Sequence, residues 1–264
     1  MKFDFFKMQA QGNDYLFFDF LDKKIPAIDF SALSLKVCDR HFGVGADGIV
    51  LISADSENDA KMRIFNADGS EAEMCGTALR CVTSYLSQKL KKAEISVVTK
   101  AGIREGKLIF EGKNPNVKVG IGKPEILKQE LKVEGFIGDW ISVGNPHFVI
   151  FLEEENSGFK RNYARKFGKK IERNTYFPER TNVEFARIIS SKTIEIQIWE
   201  RGSGATLACG TGSVAAAFVG MRRKRLEKNV TVKVPGGEVK ISVENGFFFL
   251  SGEVFKVFSG KIEI

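Results

Sequence analysis

The sequence predicts a duplicated α/β fold, two structurally equivalent halves each built from strands and a packing helix, and three internal matches predict it. Asn66-Ala-Asp-Gly-Ser-Glu-Ala-Glu-Met-Cys75-Gly-Thr77 is echoed by Glu200-Arg-Gly-Ser-Gly-Ala-Thr-Leu-Ala-Cys209-Gly-Thr211, at the offset of 134 residues that separates Cys75 from Cys209. With no gap, Met62-Arg-Ile-Phe65 falls on Ile196-Gln-Ile-Trp199, so each cysteine follows an apolar strand and a glycine-bearing loop and precedes a helix-like run. Gly12-Asn13-Asp14-Tyr15 matches Gly144-Asn145-Pro146-His147 at an offset of 132, and residues 47–51 match 181–185 at 134. A self-match in this order argues for a repeat of one structural unit. Two such halves facing each other would put two thiols in one cleft.

In chain order, residues 3–8 and 15–20 read as aromatic-rich strands around a loop at 9–13. Ser31 is positioned to cap a helix over 32–42, which Gly43 would end. The run Gly43-Val-Gly45-Ala-Asp-Gly48 matches GxGxxG. It follows a helix and precedes the strand 49–52, the reverse of a dinucleotide-binding turn, so a Rossmann site is rejected. After a strand at 62–65, a helix from 76 to 91 carries Leu79, Val82 and Leu86 at helical spacing. Residues 94–121 alternate as antiparallel hairpins broken by Gly102, Gly106 and Gly112, and Pro124 opens a crossing into the second half. That half repeats the plan, with strands to about 152, a polar helix at 160–171, strands at 182–189 and 193–199, and a helix at 211–224. Strands at 230–234, 238–243 and 246–250 are separated by the turn signals Pro235-Gly-Gly and Asn245-Gly. The last strand, 254–264, is expected to return to the first half. The halves are therefore drawn as 1–120 with 254–264, and 121–253.

Composition bounds the function. Of 264 residues, 43% are hydrophobic, which is ordinary for a globular chain, and no apolar run approaches the ~20 residues that span a bilayer. The opening Met-Lys-Phe-Asp-Phe-Phe lacks the small-residue cleavage site of a secretory signal, so a cytoplasmic protein is expected. The basic residues behind the formal charge of +7 are densest in Arg222-Arg-Lys-Arg-Leu-Glu-Lys228, which closes a helix-like run where cations complement the terminal carbonyls. A solvated helix end explains that cluster better than nucleic-acid binding, and no membrane partner is expected. Four dispersed cysteines, Cys38, Cys75, Cys81 and Cys209, do not make a disulfide framework. Cys75 and Cys81 lack CxxC spacing, and neither His41 nor His147 stands at ligand spacing to them, so no metal site is expected. Cys38 and Cys81 lie in helix-like runs and read as small buried hydrophobes.

Cys75 and Cys209 are the candidate catalytic pair. A thiol at a helix N-terminus is expected to have a lowered pKa, because exposed amides and the helix dipole stabilise a thiolate. The other readings are buried structural cysteines or a redox pair. In acid–base use, one thiolate removes a proton from a carbon between the cysteines and the other thiol returns one to the opposite face, inverting the centre. A Cα–H beside a carboxylate is a very weak acid, so its carbanion needs electrostatic stabilisation. The amides after Cys75 and Cys209, at Gly76, Thr77, Gly210 and Thr211, could hold the carboxylate and receive its growing charge. Such a site needs no metal and no cofactor such as pyridoxal phosphate.

Taken together, Gly12-Asn13-Asp14, Asn66-Ala-Asp-Gly-Ser70, Cys75-Gly76, Gly144-Asn-Pro-His147, Asn182-Val-Glu-Phe185, Trp199-Glu-Arg-Gly202 and Ala208-Cys-Gly-Thr-Gly212 resemble diaminopimelate epimerase from end to end. The resemblance implies two α/β halves, each a β-barrel-like mixed sheet around a central helix, with Cys75 and Cys209 as the acid–base pair. It implies that His147 and Glu200 sit beside the thiols and assist proton transfer or orientation. It further implies that Asn13, Asn66, Asn145, Asn182 and Arg201 bind the substrate, that the halves close over it, and that the protein is a homodimer. Asparagines offer donors and acceptors without charge, and Arg201 can grip a carboxylate bidentately. Two stretches depart from the family pattern. Gly76-Thr77-Ala78 stands where Gly-Asn-Gly is usual, and Gln9-Ala10-Gln11-Gly12-Asn13 where His-Gly-x-Gly-Asn is usual. The expected activity is interconversion of LL- and meso-diaminopimelate. The alternatives are a same-fold racemase of another amino acid such as histidine, an epimerase of an analogue such as lanthionine, and a non-catalytic binding protein.

Overall fold

The computed structural model describes residues 2–153 and 162–263. The first part of the chain forms β1 (Lys2–Ala10), β2 (Asn13–Phe20), α1 (Phe30–Val37), β3 (Gly48–Ser53), β4 (Ala60–Asn66), β5 (Glu71–Ala72) and α2 (Gly76–Leu90). β6 (Glu94–Thr99), β7 (Gly102–Phe110) and β8 (Asn116–Gly122) follow. Next come β9 (Glu125–Val133), β10 (Phe136–Ser142), β11 (Pro146–Phe151), α3 (Tyr163–Glu172), β12 (Asn182–Ser190), β13 (Thr193–Glu200), β14 (Gly204–Ala205) and α4 (Gly210–Arg222). β15 (Asn229–Val234), β16 (Gly237–Glu244), β17 (Phe247–Glu253) and β18 (Phe255–Glu263) complete the chain. The chain divides into two compact units, the first running to Val119 and resuming at Gly252, the second Gly120–Ser251, so that the division falls within β8 and β17.

In the first unit β18, β1 and β2 pair antiparallel, β2 and β3 parallel, and β3 and β4 antiparallel. β4 then pairs parallel with β6, and β6, β7 and β8 follow antiparallel. The parallel pairs are the ones joined through a helix, α1 and α2, as a crossover requires. Phe5, Leu16, Phe18 and Leu51 pack with Phe30, Leu33 and Val37 of α1. α2 is buried over nearly its whole length and packs on β1, β6 and β7.

The second unit repeats this order of pairing. β9, β10 and β11 are antiparallel, β11 and β12 parallel, β12 and β13 antiparallel, β13 and β15 parallel, and β15, β16 and β17 antiparallel. α4, with Ala215, Ala216 and Ala217 all buried, is its central helix and packs on β11, β12 and β13. α3 covers β12 and β13 around Phe148, Phe177 and Phe185. The mixed α/β class and its internal repeat are thus as the sequence predicts.

The differences are local and have physical causes. The first helix is capped by Asp29, whose side chain accepts from Ser31 N (2.9 Å) and Ala32 N (3.1 Å), whereas Ser31 Oγ donates to Gly69 O (2.6 Å). It ends at Val37 and not near Gly43, because the Asp39 carboxylate captures the amides of His41 and Phe42, both at 2.7 Å, and turns the chain aside. Cys38 is consequently the buried C-cap of that helix, while Cys81 is buried inside α2. Gly106 lies within β7 and does not break it. Residues after Pro124, read as a crossing, form β9, whose solvent side is polar enough to hide the strand period. Positions 160 and 161 of the expected polar helix, together with Met1 and Ile264, lie outside the described residues.

Candidate active site

In the first unit Cys75 is the N-cap of α2, with extended backbone (φ −139°, ψ 123°), and its carbonyl accepts the first helical bond from Leu79 N (2.9 Å). β4 and β5 deliver it, closed by the turn in which Asn66 N donates to Ser70 O (2.8 Å) and Asn66 Nδ2 to Ser70 Oγ (3.0 Å). Tyr15 on β2 donates its hydroxyl to Cys75 Sγ (3.4 Å). Asn13, at the start of β2, donates from Nδ2 to Thr77 Oγ1 (3.5 Å). Gly76 and Thr77 form the buried first turn. One turn on, Arg80 is only 1% exposed. Its Nη2 donates to Gln11 Oε1 (2.9 Å) and Thr77 Oγ1 (3.5 Å), and its Nε to Gly76 O (3.4 Å). Its Nη1 has no partner. Burial pulls this guanidinium down to about 10, and it stays charged at neutral pH.

In the second unit Cys209 caps α4 with nearly the same backbone (φ −134°, ψ 116°), and Ser213 N donates to its carbonyl (3.0 Å). Its sulfur accepts from Gly212 N (3.4 Å) and shares a bond with Thr211 Oγ1 (3.5 Å), while Gly210 opens the helix. Strands β11 and β12 run parallel with His147 opposite Asn182, which brings His147 and Glu184 together. His147 Nδ1 bonds Glu184 Oε1 (2.7 Å), and its Nε2 meets Asn145 Oδ1 (2.9 Å). Glu184 is fully buried and its Oε2 has no partner. A Cβ at position 212 would strike that carboxylate, so the glycine is what lets α4 approach β12. Asn182 is buried with its amide engaged by backbone, Nδ2 donating to Pro146 O (2.8 Å) and Oδ1 accepting from Arg201 N (2.9 Å). Arg201 Nη1 donates to Glu179 O (3.0 Å) from an exposed position.

The Cys209 thiol sits among acidic groups. Burial pushes the Cys209 thiol well above its ordinary value, and the carboxylates of Glu200 and Glu184 push it further, outweighing the Thr211 hydroxyl and Gly212 amide. The expectation of a lowered pKa at both helix starts is therefore overturned at Cys209. Two nearby negative charges and desolvation exceed what one turn of helix amides supplies. Glu200 itself is raised by burial, with the Cys209 thiol and His147 holding it partly down. His147 acts within this carboxylate cluster, spending its ring hydrogen bonds on Glu184 and Asn145. Among the described residues no group of histidine, cysteine and acidic side chains is arranged as a metal site.

Sequence reasoning singled out neither Arg80, Tyr15 nor Glu184. Arg80 and Glu184 each had a signal, since Arg80 is a charge between the apolar Leu79 and Val82 of a packing helix, and Glu184 a charge two residues beyond Asn182, on an apolar strand.

The family model for diaminopimelate epimerase matches residues 5–127 and 140–255. The chain is 37% identical to a diaminopimelate epimerase of Halothermothrix orenii, covering 100% of this chain and 99% of that protein. It is 39% identical to one of Pelotomaculum thermopropionicum, over 97% of this chain and 98% of the other. The fold is shared more widely. A crystal structure of a hydroxyproline epimerase from Agrobacterium vitis matches with a TM-score of 0.76 at 14% identity, covering 99% of this chain and 92% of that one. A phenazine biosynthesis protein of Bacillus anthracis matches at 0.73 and 15%, covering 100% of each chain. With the repeat, the paired N-cap cysteines and these full-length matches in place, the chain belongs to the diaminopimelate epimerase family.

Proposed function

We propose that the protein is a cofactor-independent epimerase that interconverts LL- and meso-diaminopimelate. The observation that carries this reading is that each unit presents one cysteine as the N-cap of its central helix, with matching backbone and a following Gly-Thr. One thiolate takes the Cα proton and becomes a thiol. The electron pair passes into the substrate carboxylate as an ene-diolate, and the second cysteine gives its own proton to the opposite face of the carbon. The first-turn amides of the two helices are donors suited to the growing oxyanion charge. Asn13, Asn66, Asn145, Asn182 and Arg201 serve substrate binding in this reading, with Asn182 acting by fixing the Arg201 backbone. His147 and Glu200 serve the Cys209 side. A cytoplasmic location and a homodimer belong to the same reading, on the strength of the family; no described helix is long and apolar enough to cross a membrane.

One observation favours a second substrate. Thr77 and Ala78 replace the family's Asn-Gly, and the Thr77 hydroxyl already serves Asn13 and Arg80, so the carboxylate end of the site differs from the common pattern. A racemase for histidine or an epimerase for lanthionine fits that change. Loss of the α-proton signal by NMR in D₂O, with reductant and no cofactor, separates these readings. Exchange confined to diaminopimelate supports the first, and faster exchange with histidine or lanthionine replaces it. Cys75→Ser and Cys209→Ser should each lower turnover by about 10²–10⁴, the range of a positioned acid or base. No turnover in the wild type, with ligand affinity little changed in either serine variant, would make the protein a binding module.

A further inference from the structure

Among the described residues of the first unit, Arg80 is the one fully buried charge that the chemistry above leaves unused. Its guanidinium lies beneath the first turn of α2, tied to Gly76 O, Thr77 Oγ1 and Gln11 Oε1, and one nitrogen is left without a partner. Every bond it makes is to a neutral oxygen, and among the described residues no carboxylate pairs with it. A buried cation that is hydrogen-bonded but not charge-compensated is costly, and the energy is recovered when an anion forms nearby. The groups whose charge it feels are thiols, Cys75 and Cys81. Cys81 is buried within the helix, whereas Cys75 is partly exposed at its mouth and faces the Tyr15 hydroxyl. In the second unit the equivalent thiol faces two carboxylates, Glu200 and Glu184.

We propose that Arg80 is a positioning residue that acts through Cys75, its uncompensated charge setting Cys75 as the thiolate of the resting enzyme while Cys209 rests as the thiol. The inference deepens the reading of the two cysteines as proton-transfer groups and rests on it. It assigns the first abstraction from free enzyme to Cys75, so the substrate stereoisomer that presents its Cα–H to Cys75 meets a ready base. The other stereoisomer must wait until the protons have exchanged places. Gln11 completes the device. Its side chain, held by a backbone in the left-handed region (φ 50°), supplies the neutral acceptor where a carboxylate would cancel the charge.

The test is alkylation of substrate-free enzyme by iodoacetamide across pH, with Cys75 and Cys209 resolved by peptide mass spectrometry. The ionisable side chains beside Cys75 include Tyr15, Arg80 and Cys81, and those beside Cys209 include Glu200, Glu184 and His147. Cys75 should react at lower pH than Cys209 in the wild type. Arg80→Met should slow Cys75 at neutral pH by roughly tenfold or more, the equivalent of one pKa unit. Arg80→Lys, which keeps the charge but loses the bond geometry, should restore most of the rate. A merely structural role would leave Lys as impaired as Met. If Arg80→Met does not fold, Gln11→Glu is the isosteric variant that compensates the charge, and it too should slow Cys75. Cys209 reacting at lower pH than Cys75, or an unmoved Cys75 profile in folded Arg80→Met or Gln11→Glu, overturns the proposal. Failure of α-proton exchange would overturn the proposed reaction while leaving these profiles readable.

Discussion

A thiol walled by carboxylates gives up its proton only at high pH, and Cys209 stands against Glu200 and Glu184 within a buried cluster. Removing one of those charges should lower the barrier to ionisation while leaving desolvation in place. Glu200→Gln is therefore expected to speed Cys209 alkylation near pH 8 by roughly tenfold, one unit of pKa corresponding to about 1.4 kcal/mol. A drop in rate would show that the thiol responds to something other than charge. Glu184→Gln should do the same and also free His147, whose Nδ1 bond it supplies. At this scale the cysteines were readable because a repeated local pattern surrounds each of them. The chemistry around them was not. Whether Cys209 meets amides or carboxylates depends on β11 and β12 lying beside α4, and residues 147, 184 and 209 are far apart in sequence. Arg80 and Tyr15 went unread for the same reason, since their function lies in what the fold sets next to them.

Elements obey caps and clearances that single positions enforce. Asp29→Ala should destabilise α1 by about 1 kcal/mol, as loss of an N-cap acceptor does, and Ser31→Ala should leave that cap intact. Thermal unfolding of both variants distinguishes the cap observed here from the one the sequence suggested. The clearance between α2 and β7 is set at Gly106, where an added Cβ would collide with the Thr83 side chain. Gly106→Ala should cost about 1–3 kcal/mol, the usual penalty of overpacking. Thr83 carries a buried hydroxyl without a partner, so Thr83→Ala should be mild alone and should restore much of the loss in the double variant. Failure of the double variant to recover would place the strain elsewhere. Strands rich in aromatic or β-branched residues were legible, as β2 and β12 are. β9 was not, because residues 125–130 are all exposed and only Leu131 and Val133 turn inward.

For the molecule as a whole, three buried thiols tie stability to alkaline pH. Burial pushes Cys38 up to about 11 and Cys81 up to about 12, and Cys209 is also raised. In the unfolded chain such thiols ionise near about 8.5. Because the folded values are the higher ones, the stabilisation is complete below about pH 8.5 and is lost as pH climbs toward them, the unfolded state holding fewer protons. The melting temperature should fall from about pH 8.5 to about pH 11, less steeply in the Cys38→Ala/Cys81→Ala double variant. Equal slopes would deny the thiols that role. The overall plan was legible from sequence because a duplication shows itself without any knowledge of contacts. The pairing of β18 with β1 carries a consequence for how the protein is made. Translation delivers β1 first and β18 last, with the entire second unit between them. On the ribosome the second unit has all its strands before the first one does. Until β18 emerges, β1 has β2 on one side and an open hydrogen-bonding edge on the other, the kind of edge that recruits foreign strands. The older half of the nascent chain is thus the younger fold.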